Sequence, residues 1–310
     1  MILFSYPEEK NCEALLSLCP DTPAGESARA YVEALMEDDD EACDIAVCFC
    51  YGTFLVRRFF DEYEFTYPLA LDADADMETA LLALEEYTKR HELPLIFCDL
   101  TDTERALLSR RYPMTRTEEI DVSEEGEPPC LIYRMRVLTP CDILDTPPTV
   151  SDGVVTLSPL VESDIPSYGA LCRDEEILSV FGADYRESDP DMSDRDFYEN
   201  TLFELERGIA LTLAVRAQER FVGEITLYAF DGRGGAEFSV RILQGYRKNG
   251  YAFRALSLLF ALAREELHLD FIDGICLREN CASAALMRKR MRLEEQTDTT
   301  FRFRAYLTEV

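Results

Sequence analysis

Histidine is scarce in this chain of 310 residues, which holds only His91 and His268. Its eleven cysteines are scattered singly apart from Cys48 and Cys50, and no CxxC occurs. A zinc site needs clustered Cys and His ligands, so no metal is expected. An odd number of cysteines without a framework suits a reducing cytoplasm better than a disulfide-stapled secreted fold. No apolar run approaches the roughly 18 residues that read as a membrane span. The opening MILFSYPEEK lacks the basic start and long apolar stretch of a signal peptide. The expectation is a cytoplasmic protein with no membrane segment. GxxxxGK[ST] and GxGxxG are both missing, which excludes a Walker loop and the dinucleotide fingerprint. Internal repeats and low-complexity tracts are missing as well.

What is abundant is acid. The chain carries 61 acidic against 31 basic residues, a net charge of −30. Residues 1–150 hold 33 acids and 12 bases, net −21, and residues 151–310 hold 28 and 19, net −9. Such a field repels phosphate backbones and anionic membrane surfaces, so neither nucleic acid nor membrane is an expected partner. It draws cations inward, or serves solubility alone. The length suits two domains, and 47% hydrophobic residues suffice for ordinary packed cores.

The first half reads as a mixed α/β unit over residues 1–140. Residues 1–42 are read as helical and acidic, with helix formers at Ala28–Met36 and a charged loop at Glu37–Glu41. Ile45–Val56 reads as a strand or a hairpin pair. Met77–His91 reads as an amphipathic helix with Ala80, Leu81, Leu84 and Tyr87 on one face. Leu93–Cys98 reads as a buried strand. Thr101–Tyr112 opens with Thr101 and Glu104 at capping-box spacing. Ile132–Val137 reads as a closing strand. Residues 141–150, rich in proline, read as a linker.

In residues 151–310 the spacing predicts a strand at Val154–Leu157 and helices at Glu162–Arg173 and Asp194–Arg207. Three strands follow, Ile209–Arg216, Arg220–Tyr228 and Ala236–Leu243, the last two joined by the glycine-rich turn Asp231–Gly235. A strong helix starts near Asn249. Phe271–Leu277 is a strand, Ala282–Met291 a helix and Thr300–Leu307 a final strand.

The stretch between the third strand and the strong helix carries the most chemistry. A strand ends at Leu243, a short loop brings Arg247, Lys248 and Asn249, and Gly250 opens a helix that continues through Tyr251 and Ala252. Free N–H groups at a helix start carry partial positive charge and can cradle a pyrophosphate. Gly250 allows close approach, Ala252 keeps the first turn slim, and Arg247 and Lys248 add charge. Basic residues gather at Arg241–Arg254 and again at Arg288–Arg292. Both clusters are read either as cofactor phosphate contacts or as solvated faces.

Arg247-x-x-Gly250-x-Ala252 resembles the pyrophosphate loop of the GNAT acetyltransferases. The order of elements is similar to theirs over about Val154–Leu307, and Asn280-x-x-Ser283 resembles a second landmark of that family. The resemblance implies a GNAT fold for 151–310, a mixed central sheet flanked by helices, preceded by a second α/β domain. It implies acetyl-CoA as acyl donor and a primary amine as acceptor, a cationic small molecule or peptide among the options. It also implies that the strand before the loop splays from its neighbour, so that the backbone of Val240, Arg241, Ile242 and Leu243 meets the thioester and the pantetheine arm. Asn280 and Ser283 would lie beside that arm, Ser283 hydrogen bonding the leaving thiolate, although both could simply cap a helix. Glu237 is the first candidate for general base and Glu224 the second. The tyrosine that many members place seven residues after the asparagine is Met287 here, and their following Gly-Phe is Met291-Arg292. A non-catalytic GNAT-fold module that binds a coenzyme-A species or a protein partner is the alternative. Phe181–Asp196 is expected to border the acceptor site. In the first half, Tyr67-Pro68 and the three elements after it look similar to the lipid-modifying aminoacyl-transferase domains. That implies a degenerate GNAT-like domain, with an unrelated helper domain as the alternative.

If the acidic surface draws in a cationic acceptor, added salt should screen it. The acceptor KM should then rise with ionic strength in steady-state assays, and an unchanged KM would show the charge to be a matter of solubility.

Overall fold

The computed structural model describes residues 45–49, 52–59, 62–66, 70–71, 77–90, 94–98, 100–121, 123, 128–129, 131–144, 146–181 and 192–308. The readings made for residues 1–42, for Tyr67-Pro68 and for most of Phe181–Asp196 lie outside these. The chain divides into two compact units, residues 1–138 and 139–310.

The first unit has a seven-stranded mixed sheet. Its strands are β1 (Ile45–Phe49), β2 (Gly52–Phe59), β3 (Glu62–Thr66), β4 (Ala70–Leu71), β5 (Ile96–Cys98), β6 (Thr115–Asp121) and β7 (Leu131–Val137). They run in the order β1-β2-β3-β5-β7-β6, with β4 beside β2, and only the β3–β5 pairing is parallel. The Ile45–Val56 stretch is thus a hairpin. Helix α1 (Met77–Arg90) buries Leu81 and Leu84 and, one step round, Glu85 and Thr88. The buried Glu85 is accounted for: its carboxylate accepts the Tyr112 hydroxyl at 2.8 Å and Arg111 Nε at 2.9 Å. Helix α2 (Asp102–Arg111) carries the expected Thr101–Glu104 capping box. Strand β6 escaped the sequence reading because TRTEEID offers no apolar alternation, and it is mostly exposed.

The second unit is an eight-stranded sheet. Its strands are β8 (Val150–Ser151), β9 (Val155–Pro159), β10 (Ala210–Ala217), β11 (Arg220–Tyr228), β12 (Gly235–Ile242), β13 (Phe271–Leu277), β14 (Arg292–Gln296) and β15 (Thr300–Tyr306). Their order is β14-β15-β13-β12-β11-β10-β9-β8. The helices are α3 (Ile165–Cys172), α4 (Glu175–Phe181), α5 (Asp194–Glu206), α6 (Tyr251–Glu265) and α7 (Cys281–Met287). Period-2 alternation sends Ala236 and Phe238 of β12, Ile272 of β13 and Phe301 and Phe303 of β15 into one core with Ala255, Leu256, Leu259 and Phe260 of α6. On the other face Leu171 and Cys172 of α3 and Phe197 of α5 meet Ala214 and Phe221. The segment read as a linker belongs to this packing. Pro140–Ile143 forms a 3-10 turn, and Cys141 is buried in the α6-side core. Thr139 Oγ1 donates to the Gly208 carbonyl at 2.8 Å. Three elements were missed, β8, α4 and β14, all short, and α7 stops at Met287 rather than Met291.

One pairing differs from the rest of this sheet. Strands β12 and β13 are parallel and pair only at Gly235–Phe271, Ala236–Ile272 and Glu237–Asp273. Beyond that point β12 continues to Ile242 and β13 to Leu277 without each other. Phe238 is the first residue of β12 past its pairing with β13. Its ring sits edge-on to Phe260, 6.5 Å between centroids, and against the bare backbone of Gly274. A Cβ at Gly274 would stand 2.6 Å from the Phe238 ring and 2.8 Å from Met287 Sδ. Gly274→Ala should therefore cost about 1–3 kcal/mol of stability through overpacking, read by chemical denaturation. Wild-type stability in that variant would show that the ring and the thioether give way freely.

Candidate active site

The divergence of β12 and β13 leaves a wedge whose apex is the Glu237–Asp273 pair. Leu243 donates its N–H to the Val222 carbonyl at 2.9 Å, and Arg241 faces Glu224 in the same antiparallel register. Alternation along β12 then turns the N–H groups of Phe238, Val240 and Ile242 away from β11, toward the wedge. Of the four residues expected to offer backbone there, Val240 and Ile242 do so. Arg241 and Leu243 are corrected: their backbone groups serve the β11 ladder.

The loop after β12 is built for a helix start that stays open. Gly250 is the N-cap of α6 at φ +79°, and Lys248 also lies in the left-handed region at φ +66°. Open space surrounds the position where a Cβ on Gly250 would stand, so backbone conformation rather than crowding calls for glycine there. With no side chain on the cap, the amides of Tyr251, Ala252 and Phe253 point outward ahead of the first helical bond, Arg254 to Gly250. Asn249 turns its amide back onto the carbonyls of Tyr246 and Arg247. Lys248 is exposed.

Arg247 does not reach into this space with its side chain. Its Nε donates to the Ile242 carbonyl at 2.9 Å, its Nη2 to Asp174 at 2.6 Å, and its Nη1 lies 2.7 Å from Glu176. The reading of Arg247 as a direct phosphate ligand is replaced by a role in fixing the loop. Asp174 has two duties, because its other oxygen caps α4 by accepting the N–H groups of Glu176 and Ile177. At the far end of α4, Asn280 Nδ2 donates to the Val180 carbonyl at 3.3 Å. Helix α4 therefore ties the outgoing end of β12 to the outgoing end of β13. Sequence reasoning missed Asp174 and Glu176, since EEILSVF is too short to show a helical period.

Asn280 is a helix cap: its Oδ1 accepts the Ser283 N–H at 3.0 Å, opening α7. Ser283 itself is half-buried. Met287 is a core residue, 5% exposed, with its sulfur against Gly274. Met291 is likewise in the core, so both departures from the family pattern are absorbed by packing. Arg254, counted among the cations of the loop, pairs with Asp152 at 2.7 Å.

The two candidate bases have different surroundings. Glu224 is 2% exposed and forms a cross-strand ion pair with Arg241, whose Nη2 also lies 3.6 Å from Cys172 Sγ. Burial is the largest influence on Arg241 and opposes its charge, but the Glu224 carboxylate, Cys172 and Tyr168 together outweigh it and keep the guanidinium charged. Burial also pushes the Cys172 thiol up to about 11. Glu224 is thus held in a buried pair with Arg241, with its Oε2 buried and without a hydrogen-bond partner. Glu237 lies at the wedge apex on the face opposite α6. Its carboxylate is 4.0 Å from Arg302, at the limit of an ion pair. Its neighbour Asp273 takes the closer contacts, from Arg302 at 3.1 Å and Arg304 at 2.7 Å.

A family model described as an acetyltransferase (GNAT) domain matches residues 155–290. The second unit carries a GNAT acetyltransferase domain. Solved structures similar to the chain include RimJ of Mycobacterium smegmatis in complex with CoA-disulfide, at 18% identity and a TM-score of 0.46, covering 53% of this chain and 90% of that one. A GNAT-family acetyltransferase from Bacillus anthracis shares 16% identity, with a TM-score of 0.45 over 52% of this chain and 99% of its own. Spermidine N-acetyltransferase from Vibrio cholerae, in complex with CoA and spermine, shares 17% at a TM-score of 0.43, over 51% and 98%. No curated protein matches the chain. Among the described residues of this GNAT-bearing chain no helix is long and apolar enough to cross a membrane, and no group of side chains could hold a metal ion.

Two predictions follow from this geometry. Glu224→Gln leaves Arg241 buried without its counter-charge, and should destabilise the GNAT unit by about 3–5 kcal/mol in denaturant titrations. A loss below about 1 kcal/mol would return Glu224 to the list of reactive groups. Asp174→Asn keeps a competent helix cap but weakens the hold on Arg247. It should raise the acetyl-CoA Kd about threefold to tenfold with little change in Tm; an unchanged Kd would separate the α4 tie from the loop.

Proposed function

We propose that the second unit transfers an acetyl group from acetyl-CoA to a primary amine by direct attack. The observation that carries this reading is the wedge between β12 and β13, open along one strand edge and ending at an uncapped helix start. The β12 edge offers Val240 and Ile242 N–H groups to the thioester oxygen and the pantetheine arm. The amides of Tyr251, Ala252 and Phe253, with Lys248 beside them, suit the pyrophosphate. Acetyl-CoA supplies the activated acyl group. The chain's own task is to hold it in line with the amine and to manage protons.

Glu237 accepts the proton that the amine loses as its nitrogen bonds to the carbonyl carbon. The C–S bond breaks, and the departing sulfur is left as thiolate or takes a proton from solvent. Ser283 offers a hydroxyl to stabilise it. The acidic surface favours a cationic acceptor, a polyamine-like small molecule or a basic peptide. A second reading has one specific support. Met287 fills a core position where many GNAT members place a tyrosine, which fits a module that binds a coenzyme-A species or a protein partner without turnover.

Calorimetric titration with acetyl-CoA separates the two. Binding by the wild type that is lost in Gly250→Asp places the cofactor at the α6 start; no binding by folded wild type removes the chemistry. Glu237→Gln should then lower kcat by about 10²-fold or more while the acetyl-CoA Kd stays within about twofold. Equal losses in both would make Glu237 a structural residue.

A further inference from the structure

Two carboxylates and two arginines meet at the apex of the wedge, and their pairing is uneven. Asp273 is buried, and Arg304 by itself is enough to match it. Arg304 Nε donates to one oxygen of Asp273 at 2.7 Å and Nη2 to the other at 2.8 Å. The guanidinium carbon of Arg304 also lies 3.8 Å from the centroid of the Phe271 ring. Such a two-pronged pair neutralises the buried charge and uses the planar fork. Arg302 comes to the same carboxylate second. Its Nε and Nη2 both lie 3.1 Å from a single oxygen of Asp273. The Arg302 side chain stays partly exposed, and among the described residues no contact engages its Nη1. Arg302 therefore brings donors that Asp273 does not require, and brings them to within 4.0 Å of the Glu237 carboxylate.

Strand β15 sets Arg302 across from Ile275 of β13, which is 45% exposed although its strand lies inside the sheet. The last β12–β13 pair is two residues earlier, at Glu237–Asp273. Glu237, Arg302 and Ile275 thus share one patch on the face opposite α6. An acceptor whose amine meets Glu237 presents to Arg302 whatever its next carbon carries. Glu237 accepts and Arg302 donates, 4.0 Å apart. An amine nitrogen and the oxygen of a carbonyl on the carbon that bears it are held roughly 3 Å apart by covalent geometry. Hydrogen bonds of about 2.9 Å can join each of them to its partner. A pair with that bite closes on Glu237 and Arg302 at once. A lysine side chain or a polyamine has only methylenes at that place, and the next ammonium of a polyamine is repelled by the guanidinium.

We propose that Arg302 is a specificity-determining residue that selects acceptors with a carbonyl on the carbon bearing the amine, the α-amino carbonyl shared by peptide N-termini and amino acids. The inference rests on acetyl transfer with Glu237 as proton acceptor. One N–H of the amine donates to Glu237, the carbonyl oxygen accepts from Arg302, and the nitrogen lone pair is left to attack the thioester. As the N–C bond forms and the C–S bond breaks, the proton passes to Glu237 and the electron pair leaves on sulfur. The Arg302 contact persists throughout, so it orients the acceptor without taking part in the transfer. Ile275 offers an apolar surface to the substituent on the same carbon. Among the cationic acceptors that the acidic surface favours, the site takes an α-amine and turns away a polyamine.

The test measures kcat/KM with acetyl-CoA for L-alaninamide and for isopropylamine, its analogue without the carbonyl. Both are run on the full chain, wild type and Arg302→Met, with Tm as a check on folding. Dividing the acceptor ratio of the wild type by that of the variant cancels the different basicities of the two amines. That quotient should be about 10–100 in favour of L-alaninamide on the wild type. Calorimetric binding of L-alaninamide to the coenzyme-A complex should weaken in Arg302→Met by a similar factor. L-Alanine and an alanyl peptide then distinguish the two sources of the carbonyl, and a preference for either that Arg302→Met removes supports the contact. A quotient near one, including an equal fall for both amines, makes Arg302 a support of Glu237 and overturns the proposal while acetyl transfer stands. No turnover of any amine by folded wild type overturns both. Should Arg302→Met fail to fold, Arg302→Gln, too short to reach past Asp273, carries the same comparison.

Discussion

The second unit depends on a pairing that stops. Every other neighbour in its sheet is antiparallel, and those ladders fix their own register. Strands β12 and β13 run parallel and share three residue pairs before they part. A strand edge inside a sheet is ordinarily a liability, because its N–H and C=O groups go unmatched. Here the mismatch is stable because the two free ends are held from outside the ladder. Phe238 packs on Gly274 and Phe260 just past the last pair. Helix α4 anchors Arg247 at one end and Asn280 at the other. The opening is therefore a built feature, held by an ion pair, a carboxamide and an aromatic wedge.

This arrangement divides the charged residues by duty. Glu224 and Arg241 sit opposite each other on β11 and β12 and form an ion pair in the core, which leaves Glu224 Oε2 and Arg241 Nη1 buried without a hydrogen-bond partner. Buried pairs of that kind contribute little net stability, but one partner without the other is costly. Glu237 is two residue steps further from the loop on the same face, at the apex, and shares Arg302 with Asp273. Asp273 takes the close contacts of both Arg302 and Arg304. Glu237 lies 4.0 Å from Arg302, farther than Asp273 does. Two glutamates that look equivalent in the sequence differ in surroundings, because Arg241 lies across the ladder from Glu224 and Tyr228 from Glu237.

Much of this was legible in the sequence, and the reasons for the rest are physical. Strong periodicity marked α6 and β13, and the Arg247–Ala252 stretch marked the helix start with its glycine cap. The splay itself was expected from family resemblance, not from any pattern in β12. Arg247, a basic residue beside an anion cradle, reads as a ligand in the sequence, while its side chain is held by carboxylates in the structure. Its true partners, Asp174 and Glu176, lie over seventy positions away in a helix too short to announce itself. Val240 and Leu243 could not be told apart before the β11 register was known, since alternation decides which N–H faces the opening. Met287 looked like a missing acid and is a core residue, a distinction that only burial can make.

The overall acidity gives the remaining cations their meaning. In a neutral protein an exposed lysine and arginine carry little information. Against a net charge of −30, cations gathered at one place set it apart. Within this unit Lys248 flanks the α6 start on the loop side, and Lys289 and Arg290 flank it over Phe253. The same helix start offers backbone amides that no side chain on the cap can satisfy. Positive charge and open donors coincide at one end of one helix, while the surface at large is negative. Such a contrast favours an anion at the α6 start and cations over the surface at large.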